Sequence, residues 1–369
     1  METAENQGSR WFQVASYRWR WKHYREFTPD FPQDLQNQRQ QKFKNYINNL
    51  KQNKEVMCYE ILSNDEEFQN FFQLKILNKL GDGGFAQVYR AVDKLGQAYA
   101  LKLFIERQKY PIEEDFDKFS NMCQEQSIIY QLNCDFVVRI FGIAYSFANN
   151  ESSMGIVVEL MDQDLKSFLT QVNRFSFREQ LNLAISLANA FLVIHHKDYV
   201  HHDIKPANIL IKNKENDEIV IKISDFGTCL KVQGNDEKIL MGLTFDYAAP
   251  ENILHLCYGE QFLNHPKSDI WSLGVVFYRI FIENKKIVFP WSDCHQPKKM
   301  SYQEKLRAQI NKEMGLKNMF AKKIAKVDAE IMNLINECLQ VDLNRRPNIE
   351  DVLENLVHAQ KNLNRFKLK

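Results

Sequence analysis

Apolar and polar positions change rhythm several times along the chain. From Gln33 to Lys54 the chain is rich in Gln, Asn and Lys, and Phe43, Tyr46, Ile47 and Leu50 recur at helical spacing, which predicts a packing helix. From Phe72 the rhythm becomes that of strands. The run LKILNKLGDGGFAQVYRAVDKLGQAYALKLF reads as three strands, with turns at Gly81 to Gly84 and Lys94 to Gly96. Glu113 to Leu132 is predicted helical from Phe116, Phe119, Met122, Ile128, Ile129 and Leu132, and Ser153 to Leu160 (SMGIVVEL) as a buried strand. A long helix is expected over Phe175 to His195, and IVIKI is a strand that ends just before Ser224. The longest apolar segment, Ile270 to Ile282, contains Arg279 and is short for a membrane span, so it predicts a buried helix. Tyr302 to Met314, Asp328 to Leu339 and the stripe Ile349, Val352, Leu353, Leu356, Val357 predict further helices.

Composition narrows this picture only a little. A chain of 369 residues can bury a large core, and a formal net charge of +1 gives no overall pull toward nucleic acid or membrane. Seven cysteines without a CxxC pair predict free thiols in a reducing compartment, cytoplasm or nucleus. The first residues carry Glu2 and Glu5 and no apolar run, which argues against a signal peptide and against myristoylation. Arg10 to Phe27 (RWFQVASYRWRWKHYREF) interleaves aromatic and basic residues. It reads either as an arm packed on the rest of the chain or as a binding element for anionic lipid, single-stranded nucleic acid or an acidic partner, with nucleic acid disfavoured by the balanced charge.

Candidate chemistry concentrates in Tyr199 to Leu210, YVHHDIKPANIL, where Asp203, Lys205 and Asn208 are set between apolar runs that would anchor a loop in a core. Downstream lies SDFG, Ser224 to Gly227. Two aspartates and an asparagine form a hard, oxygen-rich set suited to magnesium on a phosphate. The first stretch resembles the catalytic loop of eukaryotic protein kinases, with HHD where the family has HRD, and SDFG resembles its magnesium-binding DFG motif.

The resemblance implies ATP and Mg2+ as cofactors and assigns roles residue by residue. Gly81, Gly83, Phe85 and Val88 match the family's glycine-rich loop, with Ala86 in place of its third glycine, so Leu80, Gly81, Asp82, Gly83, Gly84, Phe85, Ala86, Gln87 and Val88 would surround the phosphates. Ala100 and Lys102 match the family's Ala-x-Lys, and Glu125 its helix glutamate, so Lys102 would pair with Glu125 and orient the phosphates. Val158 resembles the gatekeeper of a hinge between lobes, Glu159 and Met161 would offer backbone groups to adenine, Asp164 would reach the ribose, and Leu210 is a further cofactor-binding position. Asp203 would be the catalytic base, Lys205 would neutralise charge on the transferred group, and Asn208 and Asp225 would hold metal. DIKPAN and Thr244, a threonine expected to bond the catalytic aspartate, resemble the serine/threonine branch. Asp269 would hold the catalytic loop backbone, and Glu251 would pair with Arg346. His195, His196, His201 and His202 invite a zinc reading, against which the kinase frame gives His201 a packed structural place.

The expected fold is therefore α+β and two-lobed, with a small β-rich lobe carrying one helix and a larger helical lobe. The expected boundaries are an extension over 1–71, a catalytic domain over 72–357 and a short basic tail over 358–369. The expected function is a protein serine/threonine kinase acting on protein substrates, with Thr228 after DFG pointing to threonine acceptors. The alternative is a nucleotide-binding pseudokinase scaffold tethered by its arm, toward which Ala86 and His202 lean. His202 stands where many kinases carry an arginine that receives a phosphate, so control without phosphorylation of the 225–251 segment is expected.

Overall fold

In the computed structural model the described residues are 41, 44, 45, 48, 57–62, 66–70, 72–82, 86–105, 122, 124–146, 153–172, 175–214, 218–232, 244, 246–258, 261–282 and 329–366. The basic-aromatic arm, the apolar stripe from Phe43 to Leu50, the glycine-rich residues Gly83, Gly84 and Phe85, and the helix expected over Tyr302 to Met314 lie outside them. The chain forms two compact units, Met1–Leu160 and Met161–Lys369.

The first unit is built on six strands: β1 (Cys58–Leu62), β2 (Gln73–Asp82), β3 (Gln87–Val92), β4 (Ala98–Ile105), β5 (Ile140–Ser146) and β6 (Ser153–Glu159). They close into a barrel in the order β1-β2-β3-β4-β6-β5. The tight β3–β4 connection follows from Asp93, whose Oδ1 accepts from the N–H groups of Leu95 (2.9 Å) and Gln97 (3.0 Å), and from Gly96, which supplies the positive φ of 80°. Alternation turns Tyr59, Leu74, Ala91, Tyr99, Leu101, Leu103, Ala144 and Val157 into one core cluster. Leu74 and Leu101 are fully buried; each such side chain contributes about 2 kcal/mol. Residues 124–132 form helix α1, with Met122 also helical just ahead of it.

β1 was not expected, because CYEIL lies in the stretch that periodicity assigns to the extension. It pairs in parallel with β2 on one side (Ile61 opposite Leu74) and with β5 on the other (Tyr59 opposite Ala144).

The second unit carries the remaining strands, β7 (Gln163–Asp164), β8 (Tyr199–Val200), β9 (Ile209–Asn213), β10 (Ile219–Ile223) and β11 (Leu230–Lys231). Its helices are α2 (Leu165–Gln171), α3 (Phe177–His196), α4 (Pro250–Tyr258), α5 (Lys267–Phe281), α6 (Ala329–Cys338) and α7 (Ile349–Phe366). α3 starts where it does because Ser176 and Glu179 form a reciprocal capping box. α5 is buried from Ser268 to Phe281, which is why its sequence is mostly apolar and its charged Asp269 and Arg279 are tied to His195 and Tyr247. A side chain at Gly274 would place Cβ 2.7 Å from the Cβ of Cys338, so glycine permits the close approach of α5 and α6. α7 runs on to Phe366, past the last residue of its apolar stripe, and Ala359 stays buried there.

Candidate functional site

In the first unit, Lys102 lies on β4 and its ammonium donates to both carboxylate oxygens of Glu125 on α1, at 2.7 and 2.8 Å. The glutamate side chain is 5% exposed and the lysine 21%, so the pair is largely shielded from water. Gly81 and Asp82 close β2 opposite Val88 and Gln87. Ala86 and Ala100 are buried, whereas Leu80 is exposed. Glu159 at the end of β6 is tied to Arg139 twice: its carboxylate accepts the Arg139 N–H (2.6 Å) and its own N–H donates to the Arg139 carbonyl (2.9 Å).

In the second unit a compact polar group forms around Asp203, which is 6% exposed. Lys205 donates to Asp203 Oδ2 (2.6 Å) and to Thr244 Oγ1 (2.8 Å). Thr244 reaches Asp203 through its backbone N–H (3.3 Å to Oδ1) while its hydroxyl serves Lys205. Asn208 spends its amide N–H groups on the Asp203 carbonyl (2.8 Å) and Oδ2 (3.1 Å). The β9–β10 hairpin, with Ile209 opposite Ile223, brings Asp225 beside this group, and Ser224 fastens it by donating both N–H (2.9 Å) and hydroxyl (3.0 Å) to the Asn208 carbonyl. Asp225 itself sits in the left-handed region, φ 62°, an unusual conformation for a residue with a side chain. Met161 is buried; Leu210 lies on β9 opposite Asp164, and Asp164 caps α2 through Ser167 N–H (2.7 Å). Asp164 was expected to reach a ribose, and one of its oxygens is thus already committed to a helix end.

The loop carrying Asp203 is held from beneath by Asp269 of α5. Its Oδ2 accepts from the His201 N–H and its Oδ1 from the His202 N–H, both at 2.9 Å, and His195 Nε2 lies 2.9 Å from Oδ2. Complete burial works against this carboxylate's charge, but the hydrogen bond to His195 and the neighbouring imidazoles outweigh it and hold Asp269 below the ordinary value. The His201 ring packs at a tilt against that of Phe226, centroids 4.9 Å apart, with Nε2 3.1 Å from the Ser224 carbonyl and Nδ1 accepting the Asp203 N–H (3.3 Å). Its ring therefore links both motifs.

The four histidines do separate work. His195 serves Asp269, His196 meets Glu350 at 2.6 Å, and His201 meets Ser224. His202 lies between two asparagines, Asn264 Oδ1 at 3.0 Å from Nε2 and Asn252 Nδ2 at 3.3 Å from Nδ1, with its ring 5.5 Å from that of Phe262. Among the described residues no cluster of His, Cys, Asp and Glu is arranged to hold a metal ion. Burial pushes His202 below its ordinary value, only partly offset by the Asp269 charge and the Asn264 hydrogen bond. Asn252 and Asn264 carried no sequence signal, since nothing along the chain ties them to position 202.

A family model described as protein kinase domain matches residues 74–357. The chain belongs to the protein kinase family. It is 28% identical over 302 residues to mouse serine/threonine-protein kinase 33, covering 79% of this chain and 54% of that kinase. A serine/threonine-protein kinase of Drosophila melanogaster is 30% identical over 202 residues, 54% of this chain and 25% of the relative. Cell division control protein 2 homolog 2 of Trypanosoma brucei brucei is 31% identical over 208 residues, 54% of each chain. The chain thus spans between a quarter and about half of the length of these kinases. The kinase match begins just after the start of β2, so β1 lies ahead of it. Among the described residues no helix is long and apolar enough to cross a membrane.

Proposed function

We propose that this protein kinase transfers the γ-phosphoryl group of ATP to Ser or Thr hydroxyls of protein substrates, in cytoplasm or nucleus. The observation that carries the reading is the group around Asp203, in which Lys205 bridges the carboxylate and Thr244 while Asn208 braces it. Asp203 then accepts the proton of the substrate hydroxyl and orients the attacking oxygen, and Lys205 offsets charge that develops on the transferred group. Since the Asn208 N–H groups are used on Asp203, its Oδ1 is left to face a cation, and with the Asp225 carboxylate it supplies the hard oxygen donors that magnesium prefers. A bound magnesium would neutralise phosphate charge there.

Lys102, fixed by Glu125, presents its ammonium to the α- and β-phosphates. Around Gly81 a side chain would meet nothing within 4 Å, so its absence answers no packing need within the chain and suits close approach of a phosphate. Backbone groups of Glu159 and Met161 serve adenine, and the second oxygen of Asp164 remains for the ribose. The relatives named as serine/threonine-protein kinases favour this reading over a scaffold without transfer.

The test is transfer of labelled phosphate from ATP to a general protein acceptor. Wild type should be active and Asp203→Asn slower by about 100-fold or more. Equal rates would sink the proposal. Thr228, a β-branched residue directly after DFG, motivates a threonine preference, to be checked with matched serine and threonine peptides. Faster serine peptides would refute it.

A further inference from the structure

β1 is joined to the helix that carries Glu125. Its successive side chains go to opposite faces. Tyr59 enters the barrel interior, whereas Cys58 belongs to a second cluster with Met122, Ile143, Tyr145, Met154 and Ile156, against which Phe104 packs. One member of that cluster, Met122, and the ring packed against it, Phe104, adjoin the Lys102–Glu125 pair. Met122 lies three residues before Glu125, one helical turn away on the same face. Phe104 lies two residues after Lys102 on β4, hence on the same side of the sheet, and the ammonium stands 5.7 Å from its ring centroid.

The strand itself is built in with some care. Glu60 N–H donates to the Phe72 carbonyl (2.7 Å) and Ile143 N–H to the Met57 carbonyl (2.9 Å). The Glu60 carboxylate accepts from Gln73 Nε2 (3.0 Å), a side chain whose oxygen also collects the Gln69 and Asn70 N–H groups. At Gly142 a Cβ would stand 2.1 Å from the Met57 carbonyl oxygen, so β5 admits the incoming strand only because that position lacks a side chain.

We propose that β1 is a positioning strap for catalysis, with Cys58 as the positioning residue that, through the Met122 cluster, holds α1 where Glu125 reaches Lys102. Residues 57–62, ahead of the family match, then decide whether the ammonium is held toward ATP. The proposal rests on the kinase reading for its catalytic consequence but not for its structural one.

The experiment uses the full chain with Gly142→Val, which should expel β1 without touching Cys58, and Cys58→Ala, which keeps the strand and removes its sulfur. Amide hydrogen exchange over 57–62 and over 124–132 is measured together with kcat and the KM for ATP. In Gly142→Val exchange should rise in both segments, with kcat lower by about tenfold or more. Cys58→Ala should raise exchange over 124–132 while 57–62 stays protected. Faster exchange over 57–62 with 124–132 unchanged would overturn the proposal, as would Cys58→Ala indistinguishable from wild type. If Gly142→Val does not fold, the alanine variant decides alone. If wild type transfers no phosphate, the kinase reading fails, and the exchange data still settle whether β1 holds α1.

Discussion

Arg346 and Glu251, 95 residues apart, are joined by two parallel hydrogen bonds of 2.7 and 2.8 Å. The guanidinium is 0% exposed, lies 5.2 Å from the Trp271 ring, and gives its remaining donors to the carbonyls of Gln340, Val341 and Lys267. It thereby ties the end of the 225–251 segment to the start of α5 and to the turn before α7. Arg346→Leu leaves the Glu251 carboxylate with the Ser268 hydroxyl (2.7 Å) but without its counter-charge, and should destabilise the protein by about 3–5 kcal/mol. Adding Glu251→Leu should recover much of that loss. Urea midpoints of the single and double variants check both statements.

Lys102→Met should abolish transfer and also lower stability, because Glu125 is left buried without its cation. The expected cost is about 1–3 kcal/mol, moderated by the partial exposure of the lysine. The double variant Lys102→Met with Glu125→Gln should regain stability and remain inactive. Melting curves beside activity assays separate the two effects.

His202 gives a pH dependence of definite sign. Its folded-state pKa is depressed by burial, so below an ordinary value of about 6.5 the unfolded chain binds the proton more readily. Stability should therefore fall as pH drops from 7 toward 5. Asp269 and Glu251 favour the charged ring and the His201 imidazole opposes it, but desolvation is the largest influence. His202→Gln, uncharged throughout, should flatten the slope measured by urea unfolding across that range. Parallel slopes would remove His202 as the cause.

Phosphatase treatment should leave the rate within about threefold, a barrier change under about 1 kcal/mol. The segment from Asp225 to Glu251 carries three hydroxyl residues, Thr228, Thr244 and Tyr247. All are engaged: Thr228 with the His201 carbonyl, Thr244 with Lys205, and Tyr247 with Arg279 (2.9 Å). The His202 ring, held by Asn252 and Asn264, is not presented as a phosphate receptor. A tenfold loss restored by phosphorylation at one of these hydroxyls would contradict this.

Much of the sheet and the Asp203 loop could be read from local pattern, because strand alternation and polar residues between apolar anchors are short-range signals. β1 could not. CYEIL is five residues long, and its partners in β5 lie far along the chain, so no local rhythm announces a parallel pairing. His202 shows the same limit. The missing arginine was visible, but the two asparagines that flank the ring are 50 and 62 residues away. Asp164 also caps α2, a role that an aspartate three residues ahead of Ser167 at a helix start makes legible, and the cap uses one carboxylate oxygen.

The barrel also imposes a timetable on synthesis. β1 leaves the ribosome before either neighbour, and about 80 residues, on the order of 10 s of elongation, separate it from the β5 residues it must meet. Until then the Tyr59 face and an unpaired backbone edge are open to other nascent chains, as any uncovered strand edge is. A pause in translation between Leu62 and Ser146 would lengthen that exposure, whereas one after Ser153 to Glu159 has emerged would find the ring of strands complete.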